Sequence, residues 1–282
     1  MSSGKLRELR GRIRSVIAIQ QTTRAMRMIA AVKLRRAQER LTHLRPFHQN
    51  AKHFLELLLS HLEEPHPYQN APAASRSLWV ILSSSRGLCG AFNSGLLRWL
   101  MPQLPPSKEV ELLVLGKKAY EGLRRSGYSM QYHDLFGAKD ISPEAAYAQA
   151  DAIWDAFKQG KYREVVLVYN RFASIGKAVP TREVLLPLPA ASERKRELWF
   201  YEPSLEQLVE GFVPLYVRTM VWTAVQESVT AEHSARMVAM QMASDNAEEL
   251  IRTLRLQYNK ARQASITKEL LEIVAGAEAL KG

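Results

Sequence analysis

The chain is poor in everything that would staple it, thread it through a lipid bilayer or break its last quarter. Among 282 residues there is one cysteine, Cys89. No disulfide can form within the chain, a dithiol switch is excluded, and a lone thiol fits a reducing compartment. Long apolar runs are missing: Leu55 to Leu59 and Val165 to Tyr169 are the greasiest stretches, far short of the ~18 residues of a membrane-spanning helix. The first residues are basic and amphipathic, without an apolar block or small-residue cleavage site, so no signal peptide is expected. An Arg-rich start also suits an organellar transit peptide, but the helical register runs on without a break and is expected to belong to the fold. No proline follows Pro214, and no aromatic residue lies between Met1 and Pro46.

Acidic residues are scarce at the start. Residues 1–62 hold 13 Lys/Arg and 3 Asp/Glu, residues 63–209 hold 18 and 16, and residues 210–282 hold 8 and 9. Nearly all of the net charge of +11 is therefore carried by the first segment. Such a stripe seeks an acidic partner: nucleic acid, an anionic surface or an acidic protein. Without aromatics there is no stacking platform for bases, so a protein-facing stripe is the stronger reading and a basic nucleic-acid-binding coiled coil the alternative.

What is present is a three-four apolar rhythm at both ends. It passes through Leu6, Leu9, Ile13, Val16, Gln20, Thr23, Arg27, Ala30, Leu34, Ala37 and Leu41, and on to Leu62. That spacing is a coiled-coil seam, in a helix on the order of 85 Å long. Gln20 to Arg27 should weaken the seam, and Pro46 should kink or interrupt the helix. Alanines at 231, 235, 239, 243 and 247 recur every four residues, a row that lets a second helix approach. Ser204 with Gln207 reads as a capping box opening the last helix, whose first turns Gly211 and Pro214 should disturb.

Between the ends, strands and helices alternate. Strands are expected at Leu78–Ser83, Val110–Leu115, Tyr128–His133, Glu164–Asn170 and, at an edge, Arg182–Leu188. Helices are expected at Gly90–Trp99, Lys117–Ser126 and Ser142–Gln159, the last capped by Ser142. Glu193–Glu197 reads as a charged turn. The pattern implies a mostly parallel, Rossmann-like α/β sheet. The fold class is thus α+α/β: an antiparallel coiled coil of the N- and C-terminal helices with an inserted α/β domain. The divisions are 1–62 for the first helix, 63–76 for a proline-rich linker, 77–203 for the α/β domain and 204–282 for the last helix.

Signals of chemistry are weak. The turn from Ser83 to Asn93 sits where a phosphate-binding loop would, yet it lacks the P-loop and dinucleotide spacings, and a tight strand-to-helix turn explains its glycines. Cys89 has no histidine near it in sequence to activate it. His43, His48 and His53 are five apart, so they do not share a helix face. No catalytic residue, cofactor or metal site is assigned.

Several segments are specific. Thr22 to Ala37 (TTRAMRMIAAVKLRRA), Ser84 to Asn93 (SSRGLCGAFN), Tyr201 to Ser204, Ala231 to Met240 (AEHSARMVAM) with Ala243 to Leu254, Tyr258 to Thr267 (YNKARQASIT) and Glu272 to Ala277 resemble the gamma subunit of F-type ATP synthases. The likeness covers the chain in order. Ser85 stands where that family usually has Asp, and the cysteine-containing insert of chloroplast members is absent.

The resemblance implies a non-catalytic rotor shaft within a ring of three alpha and three beta subunits. Its α/β domain would rest on the epsilon subunit and the c-ring, at the cytoplasmic face of a bacterial plasma membrane, without lipid insertion or nucleic acid. Contacts with beta are expected from Arg24, Met26, Arg27, Lys33, Arg35 and Arg36 on the first helix, and from Arg252, Gln257, Arg262 and Thr267 on the last. Leu270, Ile273, Val274 and Leu280 are expected to fill an apolar bearing.

Overall fold

The computed structural model describes residues 2–138, 140–189 and 201–279. The chain divides into two compact units, one of residues 1–29 with 237–282 and one of residues 30–236. Two long helices contribute to both: α1, Ser2–His61, and α5, Leu205–Ala279.

In the larger unit, β1 (Ser77–Leu82), β2 (Val110–Leu115), β3 (Ser129–Tyr132), β4 (Glu164–Ser174) and β5 (Lys177–Leu186) form one sheet in the order β3-β2-β1-β4-β5. The first four strands are parallel and β5 returns antiparallel along β4. Every residue of β1 and β2 is buried, as expected for central parallel strands covered on both faces. On one face Trp79, Ile81, Leu112 and Val168 pack with Leu96 and Leu100 of α2 (Phe92–Leu100) and with Ala119 and Leu123 of α3 (Lys117–Leu123). On the other, Val80, Leu82, Leu113 and Leu167 meet Ile153 and Phe157 of α4 (Pro143–Lys158), Leu55 and Leu58 of α1, and Val213, Val217 and Val221 of α5.

Local signals work where they carry a mechanism. The Ser142 hydroxyl accepts from Ala145 N–H at 3.3 Å and caps α4, with Pro143 in its first turn. The Ser204 hydroxyl accepts from Gln207 N–H at 3.3 Å and caps α5. Gly116 is forced by contact: a Cβ there would sit 2.1 Å from the carbonyl oxygen of Ser83.

The structure corrects several expectations. Neither Pro46 nor Pro214 ends its helix. Each forfeits one backbone bond, but packing of the flanking turns outweighs that loss. Gly211 likewise lies inside α5. The edge strand begins at Lys177 rather than Arg182, because β4 runs on to Ser174 and turns back through Ile175 and Gly176 as a hairpin. The proline-rich linker contains a 3-10 turn, Pro67–Gln69, with the His66 ring and the Gln69 side chain closing its caps. The charged turn at 193–197 lies outside the described residues.

In the smaller unit, residues 4–29 of α1 and 237–276 of α5 run antiparallel: Arg10 meets Tyr258, Arg24 meets Glu248 and Arg27 meets Gln241. On α1 the polar Gln20 and Thr23 are buried along with Leu9. Thr23 hides its hydroxyl by donating to the carbonyl of Gln20 at 3.0 Å. On α5 the buried line is Met240, Ser244, Ala247, Ile251, Leu254 and Ser265, with Tyr258 and Ala261 half-buried. That is a three-four alternation, not the every-four alanine row. Four residues advance about 400° around an α-helix, so such a row drifts off any one face.

Candidate functional site

In the smaller unit three of the expected contact residues, Arg24, Arg27 and Arg252, are engaged with partners on α5. Arg24 and Arg252 flank Glu248: Arg24 Nη2 lies 3.4 Å from one carboxylate oxygen and Arg252 Nη2 2.8 Å from the other. Arg27 donates to Gln241 Oε1, and the Gln241 amide donates onward to both oxygens of Asp245 at 2.8 and 2.9 Å. The acidic and amide partners on α5 (Gln241, Asp245 and Glu248) thus tie down the basic stripe of α1. Their placement follows from the antiparallel register and had no signal in the sequence beyond the Glu248–Arg252 spacing of four. Met26 is half-buried beside them, while Gln257, Arg262 and Thr267 are exposed. Exposed apolar side chains accompany these charges: Ile19, Met28 and Ile29 on α1, and Met242, Leu250 and Leu256 on α5.

Beyond Ser265 no described side chain of α5 is buried through residue 276. Leu270, Ile273 and Val274 are 57%, 68% and 57% exposed. No described residue of the chain covers these apolar side chains, the condition of a surface that awaits a partner. Leu280 lies outside the described residues.

In the larger unit Lys33 is half-buried, Arg35 pairs with Glu39 at 3.1 Å, and Arg36 is exposed. Lys33 contributes positive potential at Glu232 and His233 on α5. Burial pushes the Glu232 carboxyl above the usual range, against the pull of Arg236. Burial, with Arg236 and Lys33 beside it, pushes the His233 imidazole down to about 4.

The Ser83–Asn93 turn leaves β1 at its carboxyl end, where β1 and β4 lie side by side and the strand order reverses. That is where open α/β sheets bind ligands. Here the turn is closed upon itself. Asn93 accepts from Ser84 N–H at 3.1 Å and donates to the Ser84 hydroxyl at 2.7 Å. Ser84 in turn donates to the carbonyl of Arg86 at 2.7 Å. From above, the Arg236 guanidinium binds the carbonyl of Gly87 at 3.2 Å. Ser84 and Asn93 are thus spent on each other and on the turn's own backbone, while Arg86, Gly87, Leu88, Gly90 and Ala91 stay exposed, an arrangement that explains the turn by its structure. Cys89 is buried, its thiol pushed up chiefly by burial, which disfavours the thiolate a nucleophile needs. Ser85 donates to a carboxylate oxygen of Asp134, so a negative charge still sits beside the turn, supplied from the loop after β3. Among the described residues no group of three or more His, Cys, Asp or Glu is placed to hold a metal.

Comparison with known proteins gives one answer along the whole length. A family described as ATP synthase matches residues 5–280. The ATP synthase gamma chain of Amoebophilus asiaticus is 38% identical over 290 residues, with 98% of each chain covered. That of Chlorobium phaeobacteroides is 39% identical, over 98% of this chain and 99% of its own. Among solved structures, a chain of the Euglena gracilis mitochondrial ATP synthase (OSCP, F1 and c-ring) superposes with a TM-score of 0.71 at 21% identity, covering 99% of this chain and 95% of that one. A chain of the Tetrahymena thermophila mitochondrial ATP synthase central stalk and c-ring superposes with a TM-score of 0.61 at 26% identity, over 79% of this chain and 99% of that one.

Proposed function

The chain belongs to the gamma-chain family of ATP synthases, and from that membership we infer that its work is mechanical. The observation that carries this is the end-to-end match to gamma chains, 98% of this chain at 38% identity. It is the rotor shaft of an F-type ATP synthase and couples transmembrane ion flow to ATP synthesis and hydrolysis. It is not an enzyme in its own right, since catalysis lies in the beta subunits. Its partners are the alpha and beta subunits, the epsilon subunit and the c-ring. None of the comparisons above supports the nucleic-acid alternative.

The terminal helices act as an antiparallel coiled coil, with the α/β domain of residues 77–203 inserted between them and residues 63–76 as the connector. Among the described residues no helix is long and apolar enough to cross a membrane. The subunit therefore takes its membrane association from its partners, at the cytoplasmic face of a bacterial plasma membrane. Coupling means that different shaft angles have different contact free energies with different beta conformations. Arg24, Met26 and Arg27, with Arg252, Gln257, Arg262 and Thr267, supply such contacts from the smaller unit. Lys33, Arg35 and Arg36 supply them from the larger. The engagement of Arg24 by Glu248 and of Arg27 by the Gln241 amide suits a sliding contact, because a guanidinium already held at home binds each passing acidic loop less tightly. Leu270, Ile273, Val274 and Leu280 fill the apolar bearing.

A tagged chain expressed in its source cell should recover a large ATP-hydrolysing assembly from membranes. Recovery of nucleic acid in its place would sink the rotor reading. Within the assembly, the double variant Arg24→Glu/Arg27→Glu should lower the number of ions pumped per ATP in vesicles. Unchanged pumping would remove those two residues from the contact set.

A further inference from the structure

α5 changes character where it passes the end of the sheet. Gln226, Glu227, Ser228, Thr230, Glu232 and Ser234 are all buried, the densest run of buried polar residues along the helix. Strand β4 explains part of it. Its pairing with β1 ends at Val168, so the backbone groups of its last residues on that side need partners from elsewhere. The helices supply them at Phe172. The Phe172 N–H donates to Glu227 Oε2 at 2.8 Å, and its carbonyl accepts from Arg45 Nη2 at 2.6 Å. Arg45 closes the triangle, donating from Nε to Glu227 Oε1 at 2.7 Å and from Nη2 to Glu227 Oε2 at 2.9 Å. The Glu227 side chain is 5% exposed. Two further bonds continue this collar along α5. Ser234 Oγ accepts from the N–H of Gly176 in the β4–β5 turn at 2.8 Å. Arg236, paired with buried Glu232 at 2.7 Å, reaches the carbonyl of Gly87.

Apolar packing is non-directional and resists rotation of a helix about its axis only through shape. Bidentate, charge-assisted bonds fix both distance and azimuth. The Arg45 side chain is 41% exposed, and an ion pair with one partner buried and the other half open to water adds little net stability, so stability alone does not account for Arg45 and Glu227. We propose that these two are positioning residues that lock α1 and α5 to the end of β4, so that torque applied to the sheet reaches the helices without lost angle. The proposal rests on the rotor reading above.

The test is the angular stiffness of the assembled rotor. A bead is attached through Lys108→Cys on the exposed loop before β2; Cys89, being buried, escapes labelling. The alpha-beta ring is held in one nucleotide-locked state and the angular fluctuation of the bead is recorded. Replacing the pair by Arg45→Met/Glu227→Leu keeps apolar volume and leaves catalytic residues untouched. The variance should rise about twofold as the charge-assisted bonds are lost. Arg163→Ala, which removes only an exposed pair with Glu109, should leave the variance unchanged. A variance in the double variant equal to that of the parent overturns the proposal. Where the double variant does not assemble, Glu227→Gln takes its place; it retains an acceptor for Phe172 N–H but weakens the Arg45 bond, and a variance unchanged from the parent overturns the proposal equally. Failure of the parent chain itself to rotate in the ring refutes the rotor reading and the collar together. A rotating parent with an unaltered variant refutes the collar alone.

Discussion

His233 is half-buried, and its pKa is lowered chiefly by desolvation, with Arg236 and Lys33 adding to the effect and Asp140 opposing it. Its folded pKa of about 4 lies below the ordinary value, so the unfolded chain takes up a proton near pH 6.5 that the folded chain refuses. Stability is therefore whole above that pH and is lost as pH falls toward 4, by about 2 kcal/mol at pH 5. Glu232 works the other way: its raised pKa lets the folded chain protonate first, which offsets part of the loss. His233→Gln removes only the histidine contribution. The drop in urea midpoint between pH 8 and pH 5 should shrink in that variant; an unaltered drop would show that His233 does not titrate in this way. Gly116 gives a second test at this scale. The atom met by an added Cβ is backbone, 2.1 Å away, and cannot swing aside. Gly116→Ala should destabilise by about 3 kcal/mol or more, read as a fall in thermal midpoint.

Elements were legible wherever the local code had a physical mechanism. β2 falls at Val110–Leu115 as its apolar run predicts. α4 starts where Ser142 can cap and Pro143 can occupy the first turn. Ser142→Ala should therefore cost about 1 kcal/mol in chemical denaturation, and an unchanged midpoint would mean the cap bond is idle. The edge strand begins earlier than the sequence pattern predicts, because Phe172 is the one buried residue among 171–177 and a single buried residue makes no alternation to read. Neither proline interrupts its helix. Pro46 and Pro214 each remove one donor, a local cost, but Leu55 and Val213 nearby are fully buried in a common core, and propensity yields to packing of that size.

At the scale of the molecule, the α5 surface beyond Ser265 is the informative part. No described side chain from 266 to 276 is buried, so the isolated chain gains nothing in stability from them. Deleting residues 266–282 should move its unfolding free energy by less than ~0.5 kcal/mol, the usual range for surface changes, while lowering the torque delivered in the assembled ring if these residues fill a bearing. A marked loss of stability in the isolated chain would show that this segment packs at home, and the bearing would then be ruled out.

The sequence alone determined that two long helices bracket a mostly parallel α/β sheet, since apolar periods of 3.6 and 2 are local facts that any window reports. It also determined the family, through motifs spread in order from Thr22 to Ala277. Only the tertiary structure decided which charges meet. Glu248 meets Arg24, Gln241 holds Arg27, and Glu227 joins Arg45 to Phe172 across 182 and 55 residues of chain. Such pairings depend on the relative register of distant segments, which is set by the packing of the whole core and leaves no trace in the spacing of neighbouring residues.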